Sequence, residues 1–190
     1  RYIDLEIDKL NVRTKSRPLA SGSISKNTIL FVILVCAALF IVLCYFINKF
    51  AFYCSPLVLV IMWIYPYTKR FTFLCSFVLG FILSIAPVGG WVVVKSSVNL
   101  DIYLFSLAIM LWASSFDMIY HTQDYNFQKK YNLQSFGSKF GIKNTFIFAV
   151  FLDLLSMVVF VCFGYSSELK IIYFIGCLIG LLIHLIKYTR

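Results

Sequence analysis

The stretch that decides the fold is ILFVILVCAALFIVLCYFI, residues 29–47, in which no side chain carries a charge. An α-helix rises about 1.5 Å per residue and needs about 20 predominantly apolar residues to cross the hydrocarbon core of a bilayer. This stretch therefore predicts a transmembrane helix. The whole chain has the same character, because hydrophobic residues make up 61% of its 190 residues and charged residues only 13%. Such a composition is far too apolar for a soluble domain and predicts a polytopic membrane protein.

Six segments are long and apolar enough to span a membrane or nearly so. We expect these spans at 29–47, 52–67, 71–94, 101–120, 145–164 and 170–188. The sequence APVGG at 86–90 predicts a kink or break within the third span. Backbone polar groups in lipid must be satisfied within each helix, so the expected fold class is an all-α transmembrane bundle forming one domain over residues 1–190.

The basic residues fall on alternate connections between these spans. The segments 1–28, 68–70 and 121–144, together with the C-terminal end, carry 14 of the 17 Lys and Arg residues. Positive charge concentrates on the cytoplasmic side of membrane proteins, so these segments are expected in the cytoplasm. The net charge of +9 lies at membrane borders rather than on a soluble domain, which argues against nucleic acid as a partner.

Acidic side chains cluster at two places on the predicted cytoplasmic side. Asp4 and Asp8 are one helical turn apart, and DMIYHTQD places Asp117, Tyr120 and Asp124 along one face of a helix end. A single pair would be an ordinary solvated helix end. Two clusters, each followed by Lys or Arg, are typical of a Mg²⁺ site whose basic neighbours contact phosphate oxygens. Beside an apolar bundle, this predicts a substrate with a diphosphate head and a hydrocarbon tail.

Four motifs occur in order along almost the whole chain: YIDLEIDKLNVRTKSRPLASG, YPYTKRFTFL, FILSIAPVGGW and DMIYHTQDYNFQKKYNLQSFGSKFG. They resemble the UbiA-type membrane prenyltransferases, and most of all the 4-hydroxybenzoate polyprenyltransferases and their menaquinone-pathway relatives. That family has nine helices. The resemblance therefore implies that this chain is a fragment incomplete at both ends, with two helices missing before Arg1 and one after Arg190.

The resemblance also implies a metal site and an activity. The family's acidic motifs fall on Asp4 and Asp8 and on Asp117, Tyr120 and Asp124, with Mg²⁺ held by the four aspartates on a polyprenyl diphosphate. Departure of the diphosphate leaves an allylic cation, which the ring of an aromatic acid such as 4-hydroxybenzoate attacks in ubiquinone or menaquinone biosynthesis. The family's next acidic position is Gln128 here. We expect this departure to weaken metal binding or to leave one ligand position to water.

Basic residues in the same motifs are the expected substrate contacts. Arg70, with Lys69, is predicted to bind the carboxylate of the aromatic acid, and Arg70 joins Asp117, Tyr120 and Asp124 in the predicted catalytic set. Five further residues are assigned to the diphosphate: Arg13, Lys15, Arg17, Lys129 and Lys130. Arg13, Lys15 and Arg17 could instead be membrane anchors, and the same alternative applies to Lys69 and Arg70. His121 is interpreted as a bystander, and Asp153, in the middle of a span, as a structural residue facing the bundle.

Two other functions fit the sequence less well. One is a transporter fragment whose acids bind a coupling cation. Transport sites usually lie near the bilayer midplane, whereas these acids lie at helix ends. The other is a different enzyme of the UbiA superfamily, such as haem O synthase or a lipid prenyltransferase, and the YPYTKRF segment disfavours it.

Overall fold

The structure, a computed structural model, describes residues 1–95 and 98–189, with side chains described as far as Ile183. All the regular structure in this part of the chain is helical, as predicted. The helices are α1 Leu5–Leu10, α2 Lys26–Ile47, α3 Lys49–Thr68, α4 Cys75–Lys95, α5 Leu100–Thr122, α6 Tyr125–Lys130, α7 Phe136–Phe140, α8 Ile142–Ser166 and α9 Ile171–Thr189.

The long helices match the predicted spans. Five of them, α2, α3, α4, α5 and α8, are long and apolar enough to cross a membrane by length and composition. The sixth prediction corresponds to α9, whose apolar part within the described side chains is the shorter Ile171–Ile183. The basic residues Lys187 and Arg190 lie outside the described side chains. The predicted break at 86–90 is wrong, because α4 continues through Pro87 as one helix.

The chain divides into two compact units, Arg1–Tyr67 and Thr68–Arg190. The first unit contains α1, a turn-rich connection, α2 and nearly all of α3. The α2 helix begins at Ser25, whose hydroxyl accepts a hydrogen bond from the Thr28 backbone N–H at 3.1 Å. The apolar side chains along α2 are mostly exposed, as expected for a helix surrounded by lipid.

The second unit is built around α5, which packs against both α4 and α8. Gly80 of α4 allows a close approach, since a Cβ there would overlap the Met110 carbonyl oxygen and the Ser114 hydroxyl of α5. Small residues have this role at helix contacts in membranes, where backbones can approach only if side chains stay out of the way. The half of α5 that contains Asp117 is thereby held close to α4.

Hydrogen bonds between side chain and backbone join α5 to α8. Ser115 donates to the Ala149 carbonyl at 2.9 Å, and Ser156 donates to the Ala108 carbonyl at 3.0 Å. The two bonds run in opposite directions between antiparallel helices. Asp153 of α8 is 2% exposed, which confirms that it faces the bundle.

The last turns of α5 lead into a corner formed by α6 and α7. Ser135 begins α7 with a capping box, in which Ser135 and Ser138 each accept a hydrogen bond from the other's backbone N–H. Gly141, with a φ of 83°, ends α7 and begins α8. Phe136 stacks on Phe148 of α8 with ring centroids 4.8 Å apart. This corner is therefore fixed to the bundle immediately beside the end of α5.

Candidate active site

Asp117 is a buried carboxylate near the C-terminal end of α5. It is 7% exposed, and its neighbours on the helix include the buried Ser114 and Met118. His121 lies one turn further along α5, with its Nε2 3.3 Å from Asp117 Oδ2. Although that oxygen is buried, it accepts no well-aligned hydrogen bond from the described part of the chain. A carboxylate withdrawn from water in this way gains from a cation or an N–H group brought to it.

Asp124 does not continue the helical face of Asp117. The α5 helix ends at Thr122, and the chain tightens so that Gln123 N–H bonds to Tyr120 O and Asp124 N–H bonds to His121 O. Asp124 is then the N-cap residue of α6. The prediction that the carboxylates share one continuous helix face is therefore wrong, because i to i+3 hydrogen bonds close the last turn of α5. Tyr120 is 37% exposed, against 7% for Asp117.

Gln128, where the family motif expects an acid, is buried and hydrogen-bonded through both ends of its amide. Its Oε1 accepts from the Ser135 hydroxyl at 2.6 Å, and its Nε2 lies 2.7 Å from His121 Nδ1. His121, interpreted from the sequence as a bystander, has its ring between Asp117 and Gln128. The sequence signals for these contacts were the spacings of four residues from Asp117 to His121 and of seven residues from His121 to Gln128. The second contact also depends on the turn between α5 and α6.

The segment with Lys69 and Arg70 is held beside the same corner. The Gln134 backbone N–H donates to the Lys69 carbonyl at 2.6 Å, and the Cys75 thiol lies 3.7 Å from the Gln134 carbonyl. Lys139 lies over the ring of Phe73 at 3.7 Å from its centroid. The side chain of Arg70 is exposed. The second unit thus brings Lys69 and Arg70 next to the residues that follow Gln128.

Lys129 and Lys130, predicted to contact diphosphate, lie on the exposed side of α6. Each ammonium group also lies over an aromatic ring, Tyr125 at 5.3 Å and Tyr131 at 5.6 Å from the centroids. Exposed contacts of this kind contribute only about 0.5–1 kcal/mol, so both side chains remain available to an anion.

The other acidic cluster belongs to the first unit. Asp8 N–H bonds to the Asp4 carbonyl at 2.8 Å, which confirms the predicted one-turn spacing. Arg17 Nη1 lies 2.8 Å from Asp8 Oδ1 and 3.0 Å from Oδ2. The sequence assigned Asp8 to the metal and Arg17 to the diphosphate, whereas in the structure they form an ion pair. Arg13 and Lys15 are exposed on the connection between α1 and α2.

The oxygen ligands present are of the kind that Mg²⁺ prefers. Within the described residues, no group of three or more His, Cys, Asp or Glu side chains lies close enough together to hold a metal unaided. Mg²⁺ does not need such a cage, because it is usually bound by one or two carboxylates, water and substrate phosphates. The buried Oδ2 of Asp117 fits that role. Both carboxylate oxygens of Asp8 contact Arg17, so Asp8 could bind a metal only if this ion pair opened.

The sequence model of the UbiA prenyltransferase family matches residues 1–190. The chain belongs to the UbiA prenyltransferase family. Its helical bundle is similar to the apo structure of a UbiA homolog from Aeropyrum pernix K1, with a TM-score of 0.89 and 27% sequence identity, over 96% of this chain and 70% of that one.

Two curated members of the family are similar in sequence. The 4-hydroxybenzoate octaprenyltransferase of Blochmanniella floridana is 34% identical over 181 residues, covering 94% of this chain and 63% of that protein. The 4-hydroxybenzoate octaprenyltransferase of Haemophilus ducreyi is 33% identical over 177 residues, covering 92% and 62%. The chain therefore spans about three fifths of the length of these relatives.

Proposed function

We propose that this chain belongs to an integral-membrane prenyltransferase, which transfers a polyprenyl group from its diphosphate to an aromatic acid such as 4-hydroxybenzoate. The main support is the family membership together with relatives that carry that activity in their names. The observation in the molecule that favours it is a buried Asp117 near the end of the apolar helix α5, in the same unit as the connection that carries Arg70. Such a site can bind a charged head and an apolar tail together.

The residues divide between the two substrates. In the second unit, the proposed Mg²⁺ ligands are Asp117 and Asp124. In the first unit, they are Asp4 and Asp8. When bound, Mg²⁺ supplies positive charge that neutralises the departing diphosphate. Lys129 adds positive potential beside the diphosphate from the exposed side of α6.

The other proposed diphosphate contacts are Lys130 from α6 and Arg13, Lys15 and Arg17 from the first unit. For Arg17, contact with the diphosphate requires release of Asp8. Opening this ion pair frees the Asp8 carboxylate to bind Mg²⁺ and the Arg17 guanidinium to bind the diphosphate.

Arg70, with Lys69, is proposed to bind the acceptor's carboxylate. A guanidinium can donate two parallel hydrogen bonds to a carboxylate, which orients the aromatic ring as well as holding it. The apolar side chains around Asp117 exclude water from the allylic carbon, which protects the cation from hydrolysis. Tyr120, exposed at the end of α5, is proposed to contact the donor.

We place the basic connections on the cytoplasmic side of a bacterial inner membrane, in a ubiquinone- or menaquinone-forming reaction. The support is the concentration of Lys and Arg in segments 1–28, 68–70 and 121–144. Both substrates would then be bound from the side on which the aspartates and Arg70 lie.

The test uses the complete protein in lipid nanodiscs with polyprenyl diphosphates of several lengths. Mass spectrometry should detect prenylated 4-hydroxybenzoate or a prenylated naphthoate, formed with Mg²⁺ and not with EDTA. Asp124→Asn should remove most turnover, because a carboxylate ligand becomes a neutral amide. Glu168→Gln makes the same chemical change in the connection between α8 and α9, and should leave turnover unchanged. Donor that is never consumed with any acceptor would refute the proposed function.

A further inference from the structure

A continuous series of polar contacts runs from the start of α7 to the carboxylate of Asp117. Ser138 N–H donates to Ser135 Oγ at 3.0 Å, and Ser135 Oγ lies 2.6 Å from Gln128 Oε1. Gln128 Nε2 lies 2.7 Å from His121 Nδ1, and His121 Nε2 lies 3.3 Å from Asp117 Oδ2. Ser135 is fully buried and Gln128 is 5% exposed, so little water competes for these bonds.

The donors and acceptors along this series determine where the imidazole carries its hydrogen. Because Ser135 Oγ already accepts from Ser138 N–H, its own hydrogen is available for Gln128 Oε1. The NH₂ group of Gln128 then faces His121 Nδ1, which must be the acceptor. A neutral imidazole has one N–H, so its hydrogen is on Nε2, the nitrogen nearest Asp117.

An acidic residue at position 128 would impose the opposite arrangement. A carboxylate can only accept, so it would require a hydrogen on His121 Nδ1. A neutral ring would then direct the lone pair of Nε2 at the carboxylate of Asp117, and the two groups would repel each other. The amide of Gln128 is what allows a neutral histidine to direct an N–H group at Asp117.

We infer that His121 and Gln128 are positioning residues for Asp117. Gln128 fixes the hydrogen of His121 on Nε2, and this N–H lies beside Oδ2 of Asp117 at an N···O distance of 3.3 Å, where its attraction for the carboxylate, without a well-aligned hydrogen bond, favours the orientation that binds the Mg²⁺-diphosphate head of the donor. The inference rests on the proposed function for its ligand, and on the contacts within the second unit for its geometry. Partners of metal-binding carboxylates act in this way, and their removal typically lowers metal affinity about 10- to 100-fold.

The first measurement is nitrogen–proton NMR of the complete protein labelled with ¹⁵N-histidine, using His121→Asn to assign the signals of this ring. The wild type should have its hydrogen on Nε2 and none on Nδ1. Gln128→Glu, which keeps the shape and replaces the donor by an acceptor, should place a hydrogen on Nδ1. Gln123→Glu is the matched control, since it adds the same charge at an exposed neighbouring position and should leave the ring unchanged. A hydrogen on Nδ1 in the wild type, or no change in Gln128→Glu, overturns the inference.

The second measurement is calorimetric binding of inorganic diphosphate in the presence of Mg²⁺, which requires no turnover. His121→Leu should weaken binding about 10- to 100-fold. His121→Gln, whose amide N–H can take the place of Nε2–H, should recover most of that loss. Equal weakening in both variants would mean that the ring only fills space. If the wild type binds no Mg²⁺-diphosphate, the proposed function fails whatever the NMR result. A wrong hydrogen position with normal binding rejects only the role of His121 and Gln128.

Discussion

Replacing Gly80 by alanine should separate α4 from α5 and destabilise the second unit. The added Cβ would overlap the Met110 carbonyl oxygen as well as the Ser114 hydroxyl. The hydroxyl can rotate, although it would give up its bond to the Met110 carbonyl at 2.7 Å. The carbonyl belongs to the backbone of α5 and cannot move unless the helix moves. Gly89, also within α4, is the matched control, because a Cβ there meets no atom within 4 Å.

The magnitude follows from two opposing effects. Alanine is favoured over glycine inside a helix by about 0.5–1 kcal/mol, and Gly89→Ala should gain about that much. Gly80→Ala has the same gain but also the cost of overpacking, about 1–3 kcal/mol. The two variants should therefore differ by about 1–3 kcal/mol. For a chain of this size, each kcal/mol shifts the Tm by about 2–4 °C, so Gly80→Ala should melt about 2–12 °C below Gly89→Ala.

The assay is thermal unfolding of the complete protein and both variants in the same detergent, measured by intrinsic fluorescence. Donor binding should weaken in Gly80→Ala as well, since the displaced half of α5 carries Asp117. Gly80→Ala melting at or above the temperature of Gly89→Ala would refute the close approach of α4 and α5 at this position.

Three other sets of variants test the proposed substrate contacts and the topology. Arg70→Ala should raise KM for the aromatic acid about 10- to 100-fold, because it removes a charge-assisted hydrogen bond of about 1.5–3 kcal/mol. The KM for the diphosphate should change less. Equal changes in both KM values, measured by steady-state kinetics, would mean that Arg70 is only a membrane anchor. Asp8→Asn and Arg17→Gln should each weaken donor binding, and the double variant should lose less than the sum, whereas additive losses would mean that the ion pair has no role. Lys129→Cys should react with a membrane-impermeant thiol reagent only from the cytoplasmic side, and Glu168→Cys only from the opposite side.

The helices were predictable because their cause is local. A run such as 29–47 has no polar side chain able to compete for the backbone, and the bilayer requires each segment to satisfy its own hydrogen bonds. The predicted ends differ from the observed ends by a few residues. For example, Ser25 caps α2 ahead of its apolar run, and α3 begins at Lys49. The expected break at APVGG failed for a related reason. Proline removes a single backbone donor, and a long apolar helix tolerates that loss.

The site could be predicted only in part, because its arrangement depends on turns. The aspartates stand out as acids in an apolar chain, and Asp117 is buried. No Gly or Pro marks the end of α5 at Thr122 in the sequence, so it could not be predicted that Asp124 lies beyond this helix. The contact between Arg17 and Asp8 requires the chain to reverse over residues 11–17, which the sequence pattern does not specify.

The hydrogen bond from Gln134 to Lys69 has a consequence for exchanging parts between members of the family. Two segments more than 60 residues apart in sequence are tied through one backbone pair, with Cys75 contacting the same residue. In a chimera that takes only the YPYTKRF segment from a relative with a different acceptor, the transplanted arginine would lie beside a 131–136 segment from the other protein. Transplanting 68–75 together with 131–136 keeps the contacts between these two segments. We therefore expect acceptor selectivity to be transferred only when both segments are exchanged.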